Sequence, residues 1–392
     1  MNEIPKIQYL GDACCGCSAC AAVCPVDAIE MREDPAGFRF PAVDGDLCIQ
    51  CQECDATCPS QNPSPTDICR EAVWAQCRDD AVLEGSSSGA LIPLAASRVV
   101  AEGGVVCGAA FVDGCRSVAH VLVDSPEGLP RLQGSKYLQS SVDEEDLRYL
   151  RRRAREGVPV LFIGTPCQVA GFNNYMGDDA ARGNVTSIDV FCHGVPSPAV
   201  WRRYYGWLEG RLGSPVEDVN FRDKCTGWQG SSFSAASGEG VFREGHSDNW
   251  FMRAFLTDTC LRPQCYQCTY KRSSGSDLTV GDFWGFDPEA HGCPSWDRGV
   301  SAVLANTDRG RALLEELSPE MLTGPSSFEE VVGGNPALVG SARPGEHREE
   351  FMAAVEEGMD AEQLMKRWPF TRPFSKRAKD KMRSIVKRMI GR

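Results

Sequence analysis

Eight cysteines near the amino terminus stand at spacings that suit iron. Cys14-x2-Cys17-x2-Cys20-x3-Cys24-Pro25 is followed by Cys48-x2-Cys51-x2-Cys54-x3-Cys58-Pro59. Short two-residue gaps wrap one loop around three corners of a cubane, and the fourth cysteine of each run reaches across to the other cluster. The spacing therefore assigns one [4Fe–4S] cluster to Cys14, Cys17, Cys20 and Cys58. It assigns a second to Cys48, Cys51, Cys54 and Cys24. Zinc takes its ligands as two separated pairs, and disulfides need an oxidising compartment. Neither fits a triplet followed by Cys-Pro. Cys15 falls outside the pattern and reads as a neighbouring, non-ligating thiol.

The elements that must position these sulfurs are small. Ala28–Met31 and Phe38–Phe40 read as short strands of a ferredoxin-like sheet, and Pro63 and Pro65 break the chain. This places a boundary after residue 65. The expected divisions are 1–65, 66–320 and 321–392, with an α+β ferredoxin-like two-cluster module leading into an α/β domain.

The chain has 392 residues, 20 cysteines and a net charge of −13. That length suggests two or three domains. The first ten residues have no apolar run of a secretory signal, and Val105–Val112 is too short to span a bilayer. The reading is a cytoplasmic protein in a reducing cell. From Lys366 to Arg392 the sequence has an excess of about ten positive charges, leaving the rest near −23. An acidic body argues against nucleic acid. Phe374–Arg392 reads as a basic helix with Met382, Ile385, Val386, Met389 and Ile390 on one face. Such a helix lies on an anionic membrane surface, binds a partner, or docks on the acidic body.

From residue 66 onward, strand, loop and helix alternate. Expected strands are Ala72–Arg78, Val105–Val112, Val118–Val123, Val158–Ile163, Thr186–Phe191, Asp277–Asp282 and Val300–Asn306. Expected helices are Leu91–Val100, Asp143–Glu156 (charged and facing solvent), 168–176, Pro198–Leu212, Asp308–Leu317, Phe328–Gly334 and Glu346–Gly358. Ligands in such sheets sit beyond the carboxyl ends of strands. Ser86–Gly89 precedes a helix, where it either serves as a plain cap or cradles phosphate. Gly134-Ser135-Lys136-Tyr137 is a polar loop. Cys167 and Cys192 follow strands, and Cys265 and Cys268 form a separate pair. Four thiolates at one site suit zinc or iron–sulfur; Cys260 is a rival ligand. Cys69, Cys77, Cys107, Cys115, Cys225 and Cys293 have no partner spacing and read as small buried hydrophobes. No Ser–His–Asp or paired-carboxylate constellation competes.

Taken together, Ser87-Ser88-Gly89, Gly103-Gly104-Val105-Val106, Gly134–Tyr137, Gly164-Thr165-Pro166-Cys167-Gln168, Cys192–Ser197, Asn220–Lys224 and Gly281–Gly285 resemble the coenzyme F420 hydrogenase/dehydrogenase beta-subunit family. The resemblance covers roughly residues 10 to 315, and the family also includes 7-hydroxymethyl chlorophyll a reductase. It implies an FAD-binding domain with its own [4Fe–4S] cluster on Cys167, Cys192, Cys265 and Cys268, making three clusters in all. It implies flavin contacts at Ser87, Ser88, Gly89, Lys136 and Tyr137, with Asp282 close by. Where the family places a second glycine, this chain has Ala90.

His193, beside Cys192, reads either as a catalytic proton donor or as a hydrogen-bond donor that tunes the ligand. The other histidines fit no pattern, and Phe283 and Trp284 read as core. The expected function is an iron–sulfur flavoprotein oxidoreductase acting on a small organic molecule. Ferredoxin, F420, NAD(P)H or another redox partner would exchange its electrons. The alternatives are an electron-transfer subunit with no substrate of its own, or a cluster-bearing sensor or structural protein without flavin.

Overall fold

The structure is a computed structural model that describes residues 4–370, apart from 178 and 180–182. The expected basic helix at 374–392, with its membrane or partner contact, lies outside the described residues.

Fourteen described strands form three sheets. A hairpin of β1 (Ile29–Glu33) and β2 (Arg39–Val43) carries the iron–sulfur segment. The large sheet takes β3 (Glu71–Cys77), β4 (Val105–Val112), β5 (Ser117–Val123), β6 (Ser140–Ser141), β7 (Val160–Gly164) and β8 (Val185–Val190). The strands β9 (Val216–Asp223), β10 (Ser232–Ser237) and β11 (Gly240–Gly245) make a separate antiparallel sheet. The large sheet then adds β12 (Leu278–Asp282), β13 (Ser301–Ala305) and β14 (Met321–Pro325). Its order is β14-β3-β13-β12-β8-β7-β4-β5-β6.

The sheet is mixed rather than purely parallel. β12, β8, β7 and β4 run parallel, with antiparallel strands on either side. All five residues of β7 are buried, as expected for a strand covered on both faces. The edge strand β14 pairs with β3, so the sheet continues past residue 320.

The iron–sulfur segment is packed onto this sheet. Arg148, on helix Glu144–Arg155, donates to the carbonyls of Ala21, Ala22 and Cys24 at the end of helix Ala19–Val23. That helix is charged, as expected, but it buries Leu147, Leu150 and Ala154 on one face. Phe38 is 1% exposed and joins an aromatic core with Trp201, Phe221, Phe233 and Phe251. Burying each such ring contributes about 2 kcal/mol. Gly171, on helix Pro166–Met176, admits the first cysteine loop: a Cβ there would lie 2.5 Å from the Cys17 sulfur.

Candidate redox site

The two cysteine runs differ in their surroundings. Cys24, Cys48, Cys51 and Cys54 line one small cavity at the surface. Cys14, Cys17, Cys20 and Cys58 are buried. Burial pushes the Cys20 thiol well up, and the neighbouring Cys14 and Cys58 push it further. The outer set is more open: Cys51 is exposed, and Cys24 and Cys48 are half-buried.

The parallel trio β7, β8 and β12 brings the second-domain residues to one edge. Thr165 caps the helix that follows β7, Pro166 opens it, and Gln168 closes a capping box by accepting from the Thr165 N–H at 3.1 Å. Cys167 is thereby fixed on the first turn. Cys192 stands two residues past the end of β8. A bridge between Pro196 and Leu261 brings the 3-10 turn Pro263–Gln267 beneath it. The Val195 N–H donates to the Cys265 sulfur at 3.5 Å. A Cβ at Gly194 would meet a Leu261 methyl at 2.7 Å and Cys265 Cβ at 3.3 Å, so this approach needs glycine.

Cys167, Cys192, Cys265 and Cys268 all line one cavity, joined by Cys15 but not by Cys260. Burial pushes the Cys192 thiol up to about 12 and Cys265 to about 11. Four thiols on one cavity wall are ligands of the kind that zinc or an iron–sulfur core would take. Four sulfurs on one zinc would each lie about 2.3 Å from it. Among the described residues no three Cys, His, Asp or Glu close in on a single ion in that way.

A second cavity of about 650 Å³ adjoins the first. The two share Thr165, Gln168, Cys192, His193, Gly194 and Val195 as lining residues. The volume falls within the range of about 300–1,000 Å³ usual for cofactor sites. Ser87, Ser88, Lys136, Tyr137 and Asp282 line it. Gly89 does not; its amide donates to Ser301 Oγ and packs the loop on β3.

The serines do not cap the following helix. Its N-cap is Ala90, held at φ +66° without a side-chain cap bond. Ser86 donates to Val82 and Ser88 to Val300, while Ser87 Oγ accepts from the Ser135 amide at 2.7 Å. The Ser86–Gly89 loop is thus tied to the Gly134–Tyr137 loop. Burial pulls the Lys136 ammonium down to about 7; it donates to the carbonyls of Arg131 and Gln133. Burial raises Asp282, with the Arg222 guanidinium opposing. His193 Nε2 lies 2.5 Å from Asp258 Oδ1.

Sequence reasoning missed other cavity residues. His120 lines the cavity, and burial pulls it down to about 4. Its Nε2 donates to the Ile163 carbonyl, which can only accept, leaving Nδ1 to accept from Ser140. Arg222 lies over Trp284 at 4.9 Å and bonds Asp282 at 3.3 Å. Phe283 is core, as expected, but Trp284 faces the cavity and stacks on Trp228. The signal for Arg222 was present in Asn220–Lys224; isolated histidines gave none. Of the six cysteines read as buried hydrophobes, Cys69 is half-buried and Cys225 exposed.

Comparison with known proteins bears on this geometry. Residues 158–323 match the family model for the carboxyl terminus of the coenzyme F420 hydrogenase/dehydrogenase beta subunit. Residues 13–62 match a 4Fe-4S dicluster domain. Residues 158–323 are thus similar to the carboxyl-terminal part of coenzyme F420 hydrogenase/dehydrogenase beta subunits, and residues 13–62 to a ferredoxin-type domain. The family match spans β7 to β14 and all four cysteines of the inner cavity. Among solved structures, the chain is similar to a chain of the xenon-derivatised F420-reducing [NiFe] hydrogenase complex from Methanosarcina barkeri. That likeness has 16% identity, covers 77% of this chain and 91% of the other, and has a TM-score of 0.46. It is too distant to transfer residue roles. No curated protein matches the chain. Among the described residues, no helix is long and apolar enough to cross a membrane.

Proposed function

We propose that this chain is an iron–sulfur flavoprotein oxidoreductase that exchanges electrons between ferredoxin-type clusters and FAD. It would reduce or oxidise a small organic molecule or coenzyme F420. The observation that carries this is the shared wall: a cavity lined by five thiols, the four candidate ligands and Cys15, abuts one large enough for a flavin, along Cys192–Val195. Cys14, Cys17, Cys20 and Cys58 would hold one cubane and Cys24, Cys48, Cys51 and Cys54 another. Cys167, Cys192, Cys265 and Cys268 would hold a third. When bound, cubanes exchange single electrons and a flavin exchanges pairs, which lets one molecule serve both kinds of partner.

The protein's own residues divide the work. The set on Cys24, Cys48, Cys51 and Cys54, which reaches the surface at Cys51, is where a redox partner would make contact. Ser87, Ser88, Lys136, Tyr137 and Asp282 bind and orient the flavin. His193, held by Asp258 on the shared wall, holds or releases the proton that accompanies pair transfer. Residues 1–65 would form the two-cluster domain and 66–320 the flavin domain, whose sheet takes its edge strand β14 from the start of the 321–392 extension.

A second reading has the chain as an electron-transfer subunit of a larger complex, without its own substrate. The description of the matched family as a beta subunit favours it. The anaerobically purified full chain should show flavin absorption bands and about twelve irons, three four-iron cubanes. It should also bleach when F420H2, reduced ferredoxin or NAD(P)H is supplied. Iron without flavin contradicts both readings. Flavin that accepts electrons only through the clusters, and passes them to no small molecule, favours the second.

A further inference from the structure

Arg262 is 1% exposed. Its Nε donates to the Cys14 carbonyl at 2.8 Å, one Nη to Gln139 Oε1 at 3.1 Å and the other to the Arg39 carbonyl at 2.9 Å. The guanidinium lies over Phe40 at 4.4 Å and Phe38 at 5.4 Å. Every polar partner is neutral. Among the described residues no carboxylate pairs with it. Burial raises the carboxyl of Asp34, the Arg262 charge opposing, but the two form no ion pair.

A buried cation without an anion is strongly disfavoured. Hydrogen bonds to carbonyls and the faces of two aromatic rings offset part of that. The rest requires a negative charge nearby, and the surroundings indicate its source. Through its side chain Arg262 touches the peptide of Cys14. Through its backbone it receives the Cys265 amide and donates to the Val195 carbonyl, and it lines the inner cavity. It is wedged between the first cysteine loop and the inner thiol set. The outer set, Cys24, Cys48, Cys51 and Cys54, lines a cavity that Arg262 does not reach.

We propose that Arg262 is a positioning residue shared by two centres: its charge is the counter-ion of both the cluster on Cys14, Cys17, Cys20 and Cys58 and the cluster on Cys167, Cys192, Cys265 and Cys268. The proposal rests on the three-cluster reading above. Four thiolates outweigh the charge of an oxidised cubane core, and one-electron reduction adds another negative charge. No bond breaks and no proton moves. A fixed cation in a dry site stabilises the reduced form and so raises the potential. The two inner centres are raised together, and the outer one is not. Electrons arriving at the outer set are thereby drawn inward.

The test is an anaerobic, EPR-monitored potentiometric titration of the full chain, with iron counted in each variant. Arg262→Met is expected to lower the midpoint potentials of the two inner clusters and leave the outer one unmoved. Arg262→Lys, which keeps the charge, should stay close to wild type. Gln139→Glu leaves the arginine in place and sets a carboxylate on its fork, so it should also lower both inner potentials. Gln139→Met loses both hydrogen bonds, to Arg262 and to the Cys15 carbonyl, without adding charge and should move them far less. If Arg262→Met fails to retain iron, the two Gln139 variants decide. Unchanged inner potentials in an iron-replete Gln139→Glu protein overturn the proposal, as does an equal shift of all three clusters. A wild-type protein lacking the third signal overturns the three-cluster reading itself.

Discussion

Lys136 shows how one residue's surroundings set its chemistry. Its folded-state pKa of about 7 lies below the ordinary lysine value of 10.5 because burial disfavours the ammonium. The sign follows from linkage: the folded chain binds this proton less tightly than the unfolded chain does. This group's contribution to stability is therefore smallest below pH 7 and grows as pH rises toward 10.5. A flavin phosphate beside it would draw the proton back. FAD affinity should then weaken as pH rises through about 7, and Lys136→Met should bind FAD more weakly with that pH dependence flattened. Fluorescence titration of the flavin-stripped protein measures both; a wild-type curve that is flat with pH counts against the contact. Cys265→Ala should lose about four irons per chain, one cubane, by colorimetric iron assay. Unchanged iron would falsify its place among the ligands.

Elements matter here because they converge. Three adjacent parallel strands deliver Cys167, Cys192 and Asp282 to one edge, and a 3-10 turn completes the thiol set. Much of this was legible in the sequence. The apolar runs of β4 and β7 and the capping residues around Thr165 and Ser197 each carry a local signal. The antiparallel sheet β9–β11 was not legible. Apart from Phe233, Ser232–Ser237 is made of small residues, and Val216–Asp223 alternates irregularly because tertiary packing decides its burial. β14 was hidden for a similar reason, with Gly324 and Pro325 in a short edge strand. Convergence of the four inner cysteines was beyond spacing alone, since it depends on the Pro196–Leu261 bridge. The hairpin's anchor gives an element-scale expectation. Phe38→Ala should destabilise the fold by about 3–5 kcal/mol, seen as an earlier loss of cluster absorbance in denaturant. A midpoint equal to wild type would show that the hairpin is not held by this core.

Across the whole molecule, the cysteine sets run from an exposed face to a buried interior that borders the large cavity. The segment 40–66, around the outer set, contains Asp44, Asp46, Glu53 and the buried Asp55 but no Lys or Arg. A basic redox protein docking there should reduce the clusters faster at low salt, and Asp46→Lys should blunt that dependence. Stopped-flow traces across ionic strength, with cytochrome c as a basic one-electron probe oxidising the reduced protein, report it; rates indifferent to salt place the port elsewhere. The most direct measurement is anomalous diffraction at the iron edge from anaerobically grown crystals of the full chain. The expected map holds three groups of iron, the innermost enclosed by Cys167, Cys192, Cys265 and Cys268 beside flavin density in the large cavity. Iron confined to the two amino-terminal sets, with those four sulfurs holding none, would contradict the account.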